Sequence, residues 1–130
     1  MPGTYLDSSA IVKLAVEERE SGPLRRHLRR RAPLVSSALA RTEVLRALIE
    51  EGDAGLMRGR EVLARLNLVR VNDRVLNAAG VLLPGELRSL DAIHLATALQ
   101  LGDDARLLVS YDERMIDAAR TLGLRTASPA

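Results

Sequence analysis

Four acidic residues in this sequence each stand beside apolar residues rather than inside a charged run. They are Asp7, Glu43, Asp91 and Asp112. Carboxylates that share one pocket repel one another, and a hard cation such as Mg²⁺ or Mn²⁺ offsets that repulsion. If the fold brings the four side chains together, they predict a metal site of the kind that hydrolases use.

Asp7 and Asp112 each follow a short apolar run and precede a helical pattern. In an open parallel sheet, functional sites form beyond the carboxyl ends of the strands, and both residues have that position. Asp is also a favoured residue at a helix N-cap, so capping explains each position equally well. The sequence leaves these two interpretations open.

Asp91 lies in an apolar helical pattern in which Leu87, Leu95 and Ala98 share its face. That face should point into the protein, where a carboxylate needs a partner. The alternative is an acid in the first helical turn, stabilised by the helix dipole. His94, one turn later, could orient Asp91, although a hydrogen-bonded histidine of the core is the commoner arrangement.

Glu43 falls in the middle of a helical pattern, with Leu39 and Ala47 one turn away on either side. Arg46 is close enough along the helix to form an ordinary surface ion pair with it, which is the alternative to a functional role. Two helix-borne acids thus accompany two strand-end acids in one small domain. Capping and solvation alone do not require that combination.

The hydrophobic pattern predicts short strands separated by helices, which indicates an α/β layer structure with a mainly parallel sheet. The predicted strands cover residues 4–6, 34–35, 68–71 and 106–109. The predicted helices cover residues 10–16, 21–31, 38–51, 54–66, 73–83, 90–101 and 115–122. The expected N-caps are Ser21, Ser36 or Ser37, and Ser89, and the expected stops are Gly52, Gly102 and Gly123.

The composition is that of a globular protein. The 130 residues are 47% apolar and 28% charged, which fits one domain spanning residues 1–130. There are no cysteines, which excludes disulfide scaffolds, thiolate zinc sites and cysteine nucleophiles. The first residues lack a basic segment followed by an apolar run, and no uncharged stretch reaches the roughly 20 residues of a membrane span. We therefore expect a cytoplasmic protein with no membrane contact.

The basic residues are almost all arginine, and they are unevenly distributed. Of the 19 basic residues only Lys13 is a lysine, and six of the seven residues in 25–31 are basic or titratable. Arginine forks suit phosphate oxygens, so this segment could contact RNA or an acidic partner. The candidate contacts are Arg25, Arg26, Arg29 and Arg30. The alternative is a solvated helix face beside the three glutamates of residues 17–20.

Four segments of the chain carry a resemblance to a known family. They are TYLDSSAIVKL (residues 4–14), RTEV (41–44), SLDAIHLATA (89–98) and SYDERM (110–115). In order and spacing they resemble the successive motifs of PIN-domain ribonucleases, and within that family the VapC toxins of bacterial toxin–antitoxin systems. The resemblance covers essentially the whole chain.

The resemblance implies a three-layer α/β/α fold with a mainly parallel sheet of four or five strands. It also implies that the four acids form the active site, with Asp7 and Asp91 as direct metal ligands. Glu43 and Asp112 would complete the metal shell or orient the attacking water. Ser9, two residues after Asp7, would support the metal or its bound water.

The family also implies an activity and partners. The fourth acid varies within the family, so Asp117 is an alternative to Asp112. The activity would be Mg²⁺- or Mn²⁺-dependent endonucleolytic cleavage of structured RNA, either tRNA or rRNA. A VapB-type antitoxin would hold the enzyme inactive by covering the acidic pocket, and the toxin would form a homodimer. Because the chain has no Trp or Phe and two Tyr, RNA shape and Arg–phosphate contacts would select the target.

Two other functions fit parts of the pattern. A phospho-acceptor signalling domain is also a small α/β fold with strand-end Asp residues and Mg²⁺. It needs a lysine at a later strand end, whereas Lys13 lies on the first helix. A catalytically silent binding module would keep the fold and lose the metal. Titration with Mg²⁺ or Mn²⁺ separates these functions, because a silent module binds neither ion through its carboxylates.

Overall fold

The centre of the fold is a five-stranded parallel sheet. The structure is a computed structural model, and it describes residues 2–130. The strands are β1 (Thr4–Leu6), β2 (Leu34–Ser37), β3 (Asn67–Val69), β4 (Leu107–Val109) and β5 (Arg125–Ala127). Their order is β3-β2-β1-β4-β5, and every pairing is parallel. The predicted α/β class and the four- to five-stranded sheet are confirmed.

Seven α-helices connect and cover the strands. They are α1 (Ser8–Ala15), α2 (Ser21–Leu28), α3 (Ala40–Ala47), α4 (Gly52–Ala64), α5 (Asp73–Gly80), α6 (Ser89–Leu101) and α7 (Glu113–Thr121). Two 3₁₀ turns, Ile49–Glu51 and Gly102–Ala105, follow α3 and α6. No helix among residues 2–130 is long and apolar enough to cross a membrane.

Strand alternation divides the core into two layers, one on each side of the sheet. Leu6 points into a cluster with residues of α1 to α4, such as Ile11 and Val44. Its neighbour Tyr5 points the other way, into a cluster with Leu95 of α6 and Met115 of α7. Successive residues of a strand face opposite sides, so the short strand β1 serves both layers. All six of these side chains are at most 1% exposed.

The serines expected to cap the third helix belong instead to β2. Ser36 and Ser37 are fully buried strand residues, and Ser36 Oγ donates to the carbonyl of Leu6 at 2.6 Å. Ser37 Oγ accepts from the amide of Leu39, and α3 begins only at Ala40. The prediction was wrong because a small hydroxyl residue also suits the buried end of a strand when a neighbouring carbonyl accepts its proton.

Other predicted boundaries also shift. Gly52, at φ +75°, separates two helices as expected, but α3 ends at Ala47 and α4 begins at Gly52 itself. Ser21 is not an N-cap, because its Oγ donates to the carbonyl of Lys13 at 2.6 Å. Ser89 is the first residue of α6 and caps nothing. Helix α2 ends three residues before the predicted end, and α5 ends at Gly80 rather than residue 83.

Strand β5 was not predicted. Its residues Arg125–Ala127 alternate in character only weakly and are exposed or half-buried, as expected for the edge of a sheet. Its pairing with β4 supplies the regularity that the sequence lacks.

The central position of β1 determines where a site can form. Leu6 pairs with Val109 of β4, so the residues that follow these two strands lie side by side at the carboxyl edge of the sheet. These residues are Asp7 on one strand and Ser110 on the other.

Candidate active site

Asp7 is a buried carboxylate at the end of the central strand, 4% exposed. Its Oδ1 accepts hydrogen bonds from Ser9 Oγ at 2.6 Å and from the amide of Ala10 at 3.1 Å, so Asp7 is the N-cap of α1. Its Oδ2 accepts a hydrogen bond from Ser110 Oγ at 2.5 Å. Capping therefore uses only Oδ1 of Asp7. The residue can cap α1 and still belong to a site, so the two interpretations are compatible.

Two serine hydroxyls connect Asp7 to the start of α7. Ser9 Oγ accepts from the amide of Tyr111 at 2.9 Å while it donates to Asp7. Ser110 Oγ accepts from the amide of Asp112 at 3.0 Å while it donates to the other oxygen of Asp7. The structure thus places Ser9 on Asp7, where it orients the carboxylate.

The pKa of Asp7 is raised above its ordinary value. Burial is the main cause, and the hydrogen bonds from Ser110, Ser9 and the Ala10 amide only partly oppose it. The ionised form is therefore under-solvated, which is the situation that a bound cation would relieve.

Glu43 lies on α3 and is half-buried. Its Oε1 accepts from Ser8 Oγ at 2.5 Å and lies 2.6 Å from His94 Nε2. Burial disfavours its ionised form, but His94 and Ser8 outweigh that effect and lower the pKa of Glu43. No ion pair between Glu43 and Arg46 forms within residues 2–130, so the structure does not have the surface pairing that was the alternative to a functional role.

His94 is buried at 1% exposure and lies between two elements. Its Nε2 contacts Glu43, and its Nδ1 lies 2.7 Å from Tyr5 Oη. The sequence suggested that His94 could orient Asp91. The structure pairs it with Glu43 instead, 51 residues away, because the buried ring reaches toward α3.

Asp91 is in the first turn of α6 and accepts no hydrogen bond from residues 2–130. Burial raises the pKa of Asp91, and the charges of Asp112 and, more weakly, Asp7 raise it further against opposition from Arg88 and His94. Asp112 and Asp7 therefore lie close enough to Asp91 for their charges to disfavour its ionised form.

Asp112 and Asp117, the two alternatives for the fourth acid, are related to Asp91 in different ways. Asp112 caps α7, with Oδ1 accepting from the amides of Arg114 at 3.0 Å and Met115 at 3.5 Å, which leaves Oδ2 free among residues 2–130. Asp117 is exposed on the same helix and lines, with Asp91, a surface cavity of about 300 Å³. It is not among the charges that raise the pKa of Asp91.

The donor set suits a hard cation held partly through water. Four carboxylate oxygens accept no hydrogen bond from residues 2–130, and the sequence has no cysteine. These oxygens are both of Asp91, Oδ2 of Asp112 and Oε2 of Glu43. Within residues 2–130, no three His, Asp or Glu side chains are close enough to hold one ion by themselves. Mg²⁺ keeps several bound waters and uses one or two protein carboxylates. The carboxylates of this site therefore fit Mg²⁺ or Mn²⁺ bound partly through water, and do not form a closed cage of protein ligands.

This geometry agrees with what the chain is similar to. Residues 4–121 match the PIN domain family. The chain belongs to the PIN-domain family. Within it, the chain is 61% identical to Ribonuclease VapC46 of Mycobacterium tuberculosis (strain ATCC 25618 / H37Rv), over 100% of both proteins.

Solved PIN-domain structures share the fold. One is VapC20 of Mycobacterium tuberculosis, described as a sarcin-ricin loop cleaving toxin, with TM-score 0.74 and 16% identity over 89% of this chain and 95% of that chain. Another is a toxin–antitoxin complex from Klebsiella pneumoniae, with TM-score 0.74 and 18% identity over 98% of both chains. The predicted family is confirmed.

The arginine segment of this PIN domain lies far from its acids. Thr4, at the amino end of β1, donates its Oγ1 proton to the carbonyl of Arg31 at 2.9 Å. Because Asp7 follows the carboxyl end of the same strand, Arg31 and its neighbour Arg30 lie at the opposite edge of the sheet. Arg25 pairs with Glu17 at 3.0 Å, as the solvated-face alternative predicts. The other candidates, Arg26, Arg29 and Arg30, form no ion pair within residues 2–130.

Three residues of the site were missed as contributors from sequence. Ser8 and Ser110 lie beside predicted acids, but their side-chain partners are 35 and 103 residues away. Tyr5 was noted only as one of few aromatics. Its place on a buried strand directly before the Asp7 motif was the available signal, since a buried phenol needs a hydrogen-bond partner.

We predict that Asp7→Asn raises the melting temperature of the metal-free protein near neutral pH. A carboxyl with a raised pKa in the folded state favours folding below its unfolded pKa of about 3.9 and loses that contribution as pH rises through the folded value. Each 1 kcal/mol that the neutral amide recovers should add roughly 4 °C. The measurement is thermal unfolding in EDTA.

The difference should shrink as the pH falls and vanish below about pH 3, where Asp7 is protonated in both the folded and the unfolded state. Asp117→Asn is the control, because Asp117 is exposed and should change the melting temperature little. A lower melting temperature for Asp7→Asn at neutral pH would mean that the bonds from Ser9 and Ser110 outweigh the cost of burial.

Proposed function

We propose that this chain is a metal-dependent endoribonuclease and the toxin of a VapBC-type toxin–antitoxin system. The observation that carries the proposal is the buried carboxylate of Asp7 at the carboxyl edge of a PIN-domain sheet, where the charges of Asp112 and Asp7 both raise the pKa of Asp91. The full-length likeness to Ribonuclease VapC46 supports RNA as the substrate. We place its action in the cytoplasm, where RNA and antitoxin are both available.

The four acids divide the work of phosphodiester hydrolysis. Asp91 and Asp7 would hold Mg²⁺ or Mn²⁺, with Asp112 beside them; when bound, the ion supplies a water of lowered pKa and stabilises charge on the phosphate. The bonds from Ser9 and Ser110 keep Asp7 in one orientation. Glu43, ionised and held at Oε1, has Oε2 available to orient the attacking water. No histidine or lysine is needed as general base.

The substrate we propose is a structured RNA, tRNA or rRNA. The structural neighbour VapC20 is described as cleaving the sarcin-ricin loop, which supports a folded target for this chain as well. Base stacking contributes little, because Tyr5 is fully buried and Tyr111 is half-buried with its hydroxyl donating to the carbonyl of Pro129. Recognition would then rest on RNA shape and on phosphate contacts.

A VapB-type antitoxin is the protein partner that we propose. The neighbour from Klebsiella pneumoniae is a toxin–antitoxin complex, which supports such a partner. A basic side chain of the antitoxin placed among the free oxygens of Asp91 and Asp112 would relieve the same repulsion as the metal does. Inhibition and metal binding would then compete for one pocket.

We also propose a homodimer that uses the α5–α6 side of the molecule. Leu83 and Val81, in the turn after α5, are 71% and 81% exposed, and Leu76 and Leu90 on the two helices are each 46% exposed. Contiguous exposed apolar side chains of this kind mark interaction sites. The Leu39 to Leu48 segment is less suited to such an interface, because Val44 and Leu48 are buried in the core.

The arginines at the amino edge are proposed to bind RNA phosphates away from the chemistry. Arg30 and Arg31 line both a concavity shared with Arg26 and Arg29 and a second one shared with Arg106 and Arg125. Few carboxylates neutralise this surface, the nearest pairing being Arg106 with Asp103 at 3.5 Å. Arginine forks without aromatic neighbours suit the phosphate backbone rather than bases.

The alternatives are less well supported. A phospho-acceptor domain needs a lysine near the acids, and Lys13 instead contacts Glu20 at 3.1 Å and Glu18 at 3.5 Å. In a silent binding module, nothing would offset the free-energy cost of keeping repelling carboxylates close together, so such a module has no need for them.

Cleavage of total RNA by the purified protein, freed of copurifying partner, tests the main proposal. We expect discrete Mg²⁺- or Mn²⁺-dependent fragments that disappear with EDTA and fall about 100-fold in rate in Asp91→Asn, because the variant loses a charged ligand. Asp117→Asn, which changes the same residue type nearby, should cleave normally. Cleavage that persists in an Asp7→Asn, Asp91→Asn variant would refute the site.

RNA binding by the arginine surface is measured in the Asp91→Asn background, so that no cleavage intervenes. Arg29→Gln with Arg30→Gln should weaken binding and lower the slope of log K against log salt by roughly 1.5 to 2. The matched control is Arg60→Gln with Arg74→Gln, which removes the same charge from α4 and α5. If both double variants lose the same RNA affinity, the loss reflects the lower net charge and not a specific contact by Arg29 and Arg30.

Molar mass by light scattering tests the dimer. Val81→Glu with Leu83→Glu should convert a dimer to a monomer, because two charges at an apolar contact are left unsolvated. Met57→Glu, at a residue 60% exposed on α4, is the control and should leave the mass unchanged. A monomeric parent protein at micromolar concentration would contradict the proposal.

A further inference from the structure

Glu43 is connected to two buried polar side chains, Tyr5 and His94, that metal chemistry does not require. Tyr5 of β1 is fully buried and His94 of α6 is 1% exposed. A Phe and a Leu would fill such positions without any polar atom. Burying a phenol and an imidazole costs free energy unless both are hydrogen-bonded, so their arrangement needs a reason.

The contacts form a single chain of hydrogen bonds with a defined direction. His94 Nε2 lies 2.6 Å from Glu43 Oε1, and His94 Nδ1 lies 2.7 Å from Tyr5 Oη. An ionised carboxylate only accepts, so Nε2 must carry the proton that it donates to Glu43. Nδ1 of a neutral ring then accepts the phenolic proton of Tyr5. The tautomer of His94 is thereby fixed by its two neighbours.

The ring itself is also held in place. Tyr5 and His94 meet edge to face, with ring centroids 5.8 Å apart and planes at 83°. Tyr5 lies on the central strand, which pairs with strands on both sides. A ring packed against that strand has little freedom to turn, so the Nε2 proton has a fixed direction toward α3.

This arrangement restrains a side chain that is otherwise free to rotate. The terminal torsion of Glu has a broad profile, so packing alone does not fix its carboxylate plane. In Glu43 both donors, His94 and Ser8, bind the same oxygen, Oε1. Oε2 accepts no hydrogen bond from residues 2–130 and is the oxygen left for a water in the acidic pocket.

We infer that Tyr5 and His94 form a positioning pair that fixes the carboxylate of Glu43 for its role in the acidic site. The inference rests on the proposed function only in giving Glu43 that role. Neither Tyr5 nor His94 touches substrate or metal; Tyr5 sets the tautomer of His94, and His94 sets the orientation of Glu43. The alternative is that the pair merely stabilises the core where α6 crosses β1.

The test combines the His94 tautomer with metal affinity and steady-state kinetics. In the metal-free protein, ¹⁵N NMR should show His94 protonated at Nε2, and Tyr5→Phe should alter the Nδ1 resonance. His94→Leu should lower kcat or Mn²⁺ affinity by about 10- to 100-fold with KM for RNA unchanged, as loss of an orienting partner does. His94→Gln should recover part of that loss, because its amide can still donate to Glu43.

Thr97→Val is the matched control. Thr97 is 1% exposed on the same helix, and its hydroxyl donates only to the carbonyl of Ile93. This variant should shift the melting temperature without changing kcat or Mn²⁺ affinity. All kinetic measurements are made well below the lowest melting temperature in the set, so that unfolding does not contribute.

Two results would overturn the inference. One is a ring protonated at Nδ1 alone in the metal-free protein, which cannot donate from Nε2 to Glu43. The other is a His94→Leu variant that melts earlier but keeps wild-type kcat and Mn²⁺ affinity, as core stabilisation alone predicts. If the parent protein cleaves no RNA, the ribonuclease proposal fails, while the tautomer and the Mn²⁺ affinities still decide on the pair.

Discussion

The rest of the site depends on a charge buried at the end of the central strand. Asp7 is 4% exposed, and three donors surround it, from Ser9, Ser110 and the Ala10 amide. These donors belong to α1 and to the residue after β4, so solvating one carboxylate draws the ends of two strands and one helix together. The same serines accept from the amides of Tyr111 and Asp112, which brings the start of α7 to the site.

Hydrogen bonding separates the acids into two kinds. Asp7 and Glu43 are each held by side-chain donors, so their orientations are set before anything binds. Asp91 has no such donor, and Asp112 uses one oxygen as a helix cap. The first kind supplies geometry, and the second supplies negative charge that, at Asp91, Arg88 and His94 offset only in part. In such a site the orientations of Asp7 and Glu43 are preorganised.

The sequence was informative wherever a local pattern decides structure. The strand before Asp7, the apolar helix α6 and the capping role of Asp112 follow from periodicity and cap preferences. It failed where a partner lies far along the chain. Serine is a residue type favoured at helix N-caps, yet Ser36 donates its hydroxyl proton to the carbonyl of Leu6. Strand β5 forms through its pairing with β4. The His94 contact with Glu43 joins two helices whose packing no single segment specifies.

The modest net charge of +2 conceals two surfaces of opposite sign. The acids lie at the carboxyl edge of the sheet, and the arginines around residues 29–31 lie at the amino edge. Strands of three to four residues separate the edges by roughly 10 to 13 Å. The Debye length at physiological salt is about 8 Å, so the arginines cannot neutralise the acids across that distance. The arginines therefore contribute little to the electrostatics of the acidic pocket, and the acids contribute little to those of the arginines.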